Sequence, residues 1–182
     1  MTRKASPADG AHNVALLVID VQRGLFDKPT PIYHAAQLLD NLDVLIQGTR
    51  AAGVPVFFIQ HASAAGLPEG SDAWRLHERL QPLPREPVVG KRHGNAFEDT
   101  LLREDLDKLH VQTVVICGLV THGCVKATCQ GALELGYQVV LVSDGHSSYS
   151  KDAGKLITEW NDKLGKAGAL LLATGELDFR RL

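Results

Sequence analysis

What this chain of 182 residues lacks narrows its reading first. No apolar run approaches the roughly 20 residues a bilayer-spanning helix needs. Neither charge dominates: 19 Lys and Arg against 21 Asp and Glu leave a net charge of −2. That gives no electrostatic case for nucleic acid or an anionic membrane as a partner. Cysteine is scarce, at positions 117, 124 and 129, and forms neither a disulfide framework nor a metal-binding spacing. With no apolar h-region near the N-terminus, that odd count points to a reducing, cytoplasmic setting. Repeats and low-complexity linkers are also missing. The expectation is a flexible tail over residues 1–12 and a single domain over 13–182. With 45% hydrophobic residues, that domain is long enough to bury a full core.

What is present alternates between two patterns. Residues 14–20 (VALLVID), 54–60 (VPVFFIQ), 88–89, 114–117, 138–143 and 169–173 read as strands. The long ones are apolar on both faces, as strands of a covered parallel sheet are. Between them lie helical periodicities over 35–52, 95–109, 125–135 and 151–168. The 95–109 helix is expected to start near Glu98 or Thr100, with Leu101, Leu102, Leu106 and Leu109 inward. The 61–87 connection is long enough to be functional, and residues 72–80 read as a short helix carrying Trp74. Residues 176–182, with Phe179 and two arginines, are expected at a subunit contact. The alternation gives an α/β fold: a three-layer α/β/α sandwich around a mainly parallel, six-stranded sheet.

The stretch 111–136 (VQTVVICGLVTHGCVKATCQGALELG) passes from buried strand to helix through a turn holding Cys124. Open α/β sheets place their ligands beyond the carboxyl ends of strands. A helix mouth there favours a thiolate, so a lowered Cys124 pKa is expected. Asp20 and Lys91 also follow strands. If the three converge, the carboxylate takes the thiol proton and the ammonium stabilises developing charge. The sulfur then attacks a carbonyl whose oxyanion is held by backbone N–H groups. Cys117, in mid-strand, and Cys129, in mid-helix, read as core.

ALLVIDVQRGLF, KRHGNAFEDTLL and VICGLVTHGCVKATCQGALELGYQVVLVSDGHSS together resemble the isochorismatase-like cysteine hydrolases. That family includes nicotinamidases, N-carbamoylsarcosine amidase, ureidoacrylate and biuret hydrolases, and isochorismatase itself. The resemblance implies a catalytic triad of Asp20, Lys91 and Cys124. It also implies a cis peptide at Leu119–Val120 and an oxyanion hole made by the N–H groups of Val120 and Cys124. It implies hydrolysis of a small amide, ureide or related C–N bond, and assembly as a dimer or tetramer. Isochorismatase-type vinyl-ether hydrolysis and a catalytically idle binding subunit are the alternatives. A redox thiol is disfavoured, because no Cys-x-x-Cys resolving pair exists.

Nicotinamidases of this family hold a metal through Asp-x-His after the second strand. Here the segment reads Gln60-His61-Ala62-Ser63, without the carboxylate, so neither metal nor other cofactor is expected. Gln22, Phe26, His61, His122 and His146 are the candidate substrate-binding residues. His93 is a further candidate for substrate contact, and Trp74 and Tyr149 for aromatic walls. Glu98 is a candidate partner for Lys91, and His77 an exposed helix residue.

Overall fold

The β-branched runs become one sheet in the computed structural model, which describes residues 13–182; the expected tail over 1–12 lies outside them. β1 (Val14–Ile19), β2 (Val56–His61), β3 (Val88–Lys91), β4 (Thr113–Leu119), β5 (Gln138–Ser147) and β6 (Leu170–Leu172) lie in the order β3-β2-β1-β4-β5-β6. Every pairing is parallel. β1 and β4 take the centre and are buried along their whole length, as unbroken apolar runs require.

The period of two along each strand splits the core between two faces. Val14, Leu16 and Val18 pack with Leu38, Leu42 and Leu45 of α2 (Ala35–Ala51). Ala15, Leu17 and Ile19 pack with Leu106 of α3 (Leu102–Lys108), Cys129 of α4 (Lys126–Glu134) and Leu164 of α5 (Ala153–Lys166). This is the three-layer sandwich. Each leucine fully buried in it contributes about 1.5–3 kcal/mol.

The strand order reverses direction between β1 and β4. β2 and β3 lie to one side, β5 and β6 to the other, so the connections diverge and open a crevice at the carboxyl edge. The two central strands approach closely there. Gly118 has φ +115, and a Cβ on it would stand 2.2 Å from the Ile19 carbonyl oxygen. Only glycine meets both conditions.

Three expectations about local structure change. Residues 72–80 form no helix, because their backbone groups bond outward. Gly24 N–H donates to Ala73 O, Arg23 N–H to Arg75 O, and His77 N–H to Val21 O. The segment thus clamps the turn that contains the four-residue helix α1 (Arg23–Phe26). α3 starts only at Leu102, after Asp99 turns into the left-handed region at φ 52. Leu102 and Leu106 are buried, but Leu101 and Leu109 face outward, 62% and 47% exposed. The C-terminal Phe179 is 5% exposed and packs against Gly48 of α2, so it is core of its own chain rather than contact surface.

Candidate active site

Three strand ends deliver the central side chains. Lys91 ends β3, Asp20 follows β1 directly, and Cys124 lies in the wide turn Thr121–Val125 after β4. Asp20 has φ 49, a conformation that short polar side chains tolerate. Its N–H is held by Ile59 O at 3.0 Å, and its own carbonyl accepts from Gln22 N–H at 2.9 Å. The kink aims the carboxylate across the crevice. Within the Cys124 turn, Val120 O accepts from both Gly123 N–H and Val125 N–H, while Gly123 leaves helical geometry. The regular α4 therefore begins after the cysteine, not at it.

Lys91 Nζ is fully buried and fully used. It donates to Asp20 Oδ2 at 2.7 Å, to His93 O at 3.0 Å and meets His61 Nδ1 at 3.3 Å. An ammonium has three N–H donors, so none is left over. The other carboxylate oxygen, Asp20 Oδ1, is buried with no hydrogen-bond partner among the described residues. The Cys124 sulfur is close to the same carboxylate: it, an Asp20 oxygen and a His61 ring nitrogen all lie within 4.8 Å of one another.

Burial lifts the Asp20 carboxyl above its ordinary range, with Lys91 opposing. Burial also lowers the His61 pKa, and the Lys91 charge adds to that, so the imidazole rests neutral and accepts from Lys91. The Cys124 thiol is pushed up to about 12, first by burial and then by the Asp20 charge, against the pull of Lys91. This corrects the expectation of a lowered pKa. A helix mouth favours a thiolate, but here burial and the neighbouring carboxylate outweigh it. The resting form is thiol beside carboxylate. Cys117 and Cys129 are fully buried and likewise raised, with no charged group beside either.

That donor set also tests for a metal. Asp20, His61 and Cys124 form a three-ligand cluster by distance. Lys91 Nζ, however, already stands on the Asp20 carboxylate and the His61 nitrogen. A cation bound there meets a buried ammonium on two of its three ligands, and the site does not fit one.

A cavity of about 340 Å³ opens over Cys124, lined in part by Asp20, His61, Val120, His122 and Tyr149. Gln22 and Phe26 do not line it. Gln22 is completely buried and clips three segments: its Nε2 donates to His61 O and Trp74 O, and its Oε1 accepts from His61 N–H. Phe26 packs its ring against His77. His146 is also behind the cavity. Asn161 Nδ2 donates to Ser143 O, which turns Asn161 Oδ1 toward His146 Nε2 at 2.8 Å. Nε2 therefore carries the hydrogen, and Nδ1 accepts from Thr121 Oγ1 at 2.8 Å. His146 anchors the start of the Cys124 turn. His93 and Glu98 face each other at 3.6 Å, outside the lining of this cavity, and Trp74 borders a neighbouring one.

The Leu119–Val120 peptide is cis. The Val120 N–H is paired with no acceptor among the described residues. Lys28, Ser63, Gly66 and Leu67 also line the cavity and escaped the sequence reading. They sit in irregular segments, where periodicity carries no signal.

The isochorismatase domain matches residues 14–159. A streptothricin hydrolase of Streptomyces noursei is 37% identical over 147 residues, covering 80% of this chain and 53% of that protein. A second streptothricin hydrolase of the same species is matched over 58% of its length, so the chain spans little more than half of either. An uncharacterized isochorismatase family protein of Bacillus subtilis is 32% identical, over 71% of this chain and 75% of its own. The crystal structure of an isochorismatase family protein superposes with a TM-score of 0.84 at 31% identity, covering 90% of this chain and all of that one. The chain belongs to the isochorismatase family.

Proposed function

We propose that the chain is a cysteine hydrolase that cleaves a small amide, ureide or related C–N bond through a thioester on Cys124, with no cofactor. The observation that carries the reading is an Asp20 carboxylate within 4.8 Å of the Cys124 sulfur that keeps Oδ1 unpartnered while Lys91 holds Oδ2. One oxygen holds the charge in place; the other is free to take a proton. The name of the streptothricin hydrolase relatives supports hydrolysis.

In the first step Asp20 Oδ1 takes the thiol proton as the sulfur attacks the carbonyl carbon. The C–S bond forms, and the oxygen becomes an oxyanion facing the Val120 and Cys124 N–H groups. The raised Asp20 pKa makes it the stronger base, which a thiol near pKa 12 demands. Collapse breaks the C–N bond, and the proton moves from Asp20 to the departing nitrogen, which leaves as ammonia or an amine. Water then attacks the thioester, gives a proton to Asp20, and releases the acid. The proton returns to sulfur. Lys91 keeps its three bonds throughout and offsets charge at each stage.

The test is an ammonia-release screen over small primary amides and ureides, with Cys124→Ala as control. Release by the wild type and none by the variant is the expected result. Equal release by both removes Cys124 from the mechanism.

A further inference from the structure

The Cys124 cavity holds one charged side chain that the proposed chemistry leaves unused. Lys28 follows α1 and is half-buried on the cavity wall. Its Nζ stands 6.0 Å from the centre of the Tyr149 ring. Across from it, a Cβ on Gly66 would come within 3.4 Å of the same nitrogen, so the absence of a side chain at Gly66 keeps the ammonium clear. Among the described residues, Lys28 takes part in no salt bridge and no hydrogen bond.

The charge balance of the cavity makes this notable. Among the described residues, Asp20 is its only lining carboxylate. That charge is met at 2.7 Å by Lys91, and the carboxylate lies within 4.8 Å of the Cys124 sulfur. His61 rests neutral, and His122 Nδ1 lies 3.3 Å from Ser148 Oγ. The uncompensated charge inside the cavity is therefore the single positive charge of Lys28. A cationic substrate finds no carboxylate there to receive it. An anionic one finds an ammonium on a half-buried side chain with no counterion among the described residues, a ready partner for a charge-assisted hydrogen bond. A lone ammonium balances a single negative charge. The cavity volume suits a small molecule.

We propose that Lys28 is a specificity-determining residue that anchors a carboxylate on the substrate. The chain then acts on small amides or ureides that carry a carboxylate away from the scissile C–N bond. This rests on the amide-hydrolase reading above. The substrate lies with its reacting carbonyl over Cys124 and its carboxylate on Lys28, alongside Tyr149.

The experiment compares dicarboxylic acid monoamides of increasing length with uncharged alkyl amides of matching length. Its readout is the ratio of kcat/KM between the two members of each pair. The wild type should favour the carboxylated member by roughly 10- to 100-fold at one chain length. Lys28→Gln should bring that ratio near one, Lys28→Arg should keep most of it, and Lys28→Glu should move the preference to amides bearing an ammonium. Calorimetric binding of the same monoamides to Cys124→Ala, with and without Lys28→Gln, reads recognition without turnover. A ratio near one in the wild type, or one unchanged by Lys28→Gln, overturns the Lys28 assignment while amide hydrolysis stands. Lys28-dependent binding with no ammonia from any amide overturns the amide reading while the anchor stands.

Discussion

The two ends of the sheet each carry a cavity and a largely buried ion pair, and the proposed chemistry uses only one of them. At the amino end, a cavity of about 540 Å³ is lined by Arg50, Phe57, Glu86 and Leu109, among others. Arg50 there grips Glu86 through Nε at 2.8 Å and Nη2 at 2.7 Å, and Glu86 also accepts from the Leu83 N–H. Both carboxylate oxygens are occupied, and among the described residues no thiol or hydroxyl side chain lines the cavity. At the carboxyl end the cavity is smaller, yet Asp20 keeps one oxygen unpaired next to a thiol. Volume does not separate the two, and neither does burial of charge. A saturated pair fixes structure, whereas a pair with one unused acceptor stores a base.

The largest expected difference between the ends is in turnover. Asp20→Asn keeps the shape of the side chain and removes the base, so ammonia release should fall by roughly 100- to 10,000-fold. Arg50→Met should leave ammonia release unchanged and cost about 2–3 kcal/mol of stability in chemical denaturation, since it strands Glu86. Similar activity losses from both variants would erase the distinction.

Next comes the backbone. Gly118→Ala drives a Cβ into the Ile19 carbonyl at 2.2 Å, and Ile19 immediately precedes Asp20. It should cost about 3 kcal/mol or more and depress turnover with it. Gly53, at the amino end, also has positive φ (+73) but nothing within 4 Å of an added Cβ. Gly53→Ala should cost only the left-handed backbone penalty of about 1–2 kcal/mol. Thermal unfolding of the two variants ranks them.

The most gradual effect separates the ends by acid. His146 is buried and neutral, with its pKa lowered from 6.5 to about 4, first by burial. The unfolded chain therefore binds the extra proton, and stability falls as pH drops from about 6.5 to about 4, by about 3 kcal/mol in all. Burial raises the Glu86 pKa, but its bonds to Arg50 and the Leu83 N–H outweigh that and hold it below its ordinary 4.5. Its contribution stays whole above that value and is lost only as pH falls through the lowered one. Denaturation midpoints across pH should show two successive losses. His146→Gln shrinks the first, to which His61 also contributes, and Glu86→Gln removes the second; a wild type with flat stability between pH 6.5 and 4 contradicts the first.

The sheet and the positions of Asp20, Lys91 and Cys124 were legible because their signals are local. An apolar run ends, and the next polar residue lies at the strand's carboxyl end. Lys28 was not legible, because what marks it is the lack of a partner, a property of three dimensions rather than of the Lys28-Pro29 bend. Gln22 and His146 read as pocket residues from their nearness to the motif. The fold turns both inward to brace it, through hydrogen bonds to segments 52 and 15 residues away. Residues 72–80 failed as a helix for a related reason: neighbouring turns claimed the carbonyls that a helix needs for itself. The direction of the Cys124 shift was not legible, because a sequence names the opposing charges of Lys91 and Asp20 but not the burial that outweighs both.

That shared crevice sets the central claim: Cys124 rests as a thiol, and Asp20 both raises its pKa and removes its proton during reaction. The direct measurement is the iodoacetamide alkylation rate of Cys124 at neutral pH, followed by mass spectrometry, in the wild type and in Asp20→Asn. Removing the carboxylate leaves Lys91 alone beside the sulfur and lowers the thiol pKa. Alkylation should therefore be about 10-fold faster or more in Asp20→Asn, while ammonia release collapses. Wild-type labelling that is already fast and independent of pH between 6 and 9, and that slows in Asp20→Asn, would contradict the account.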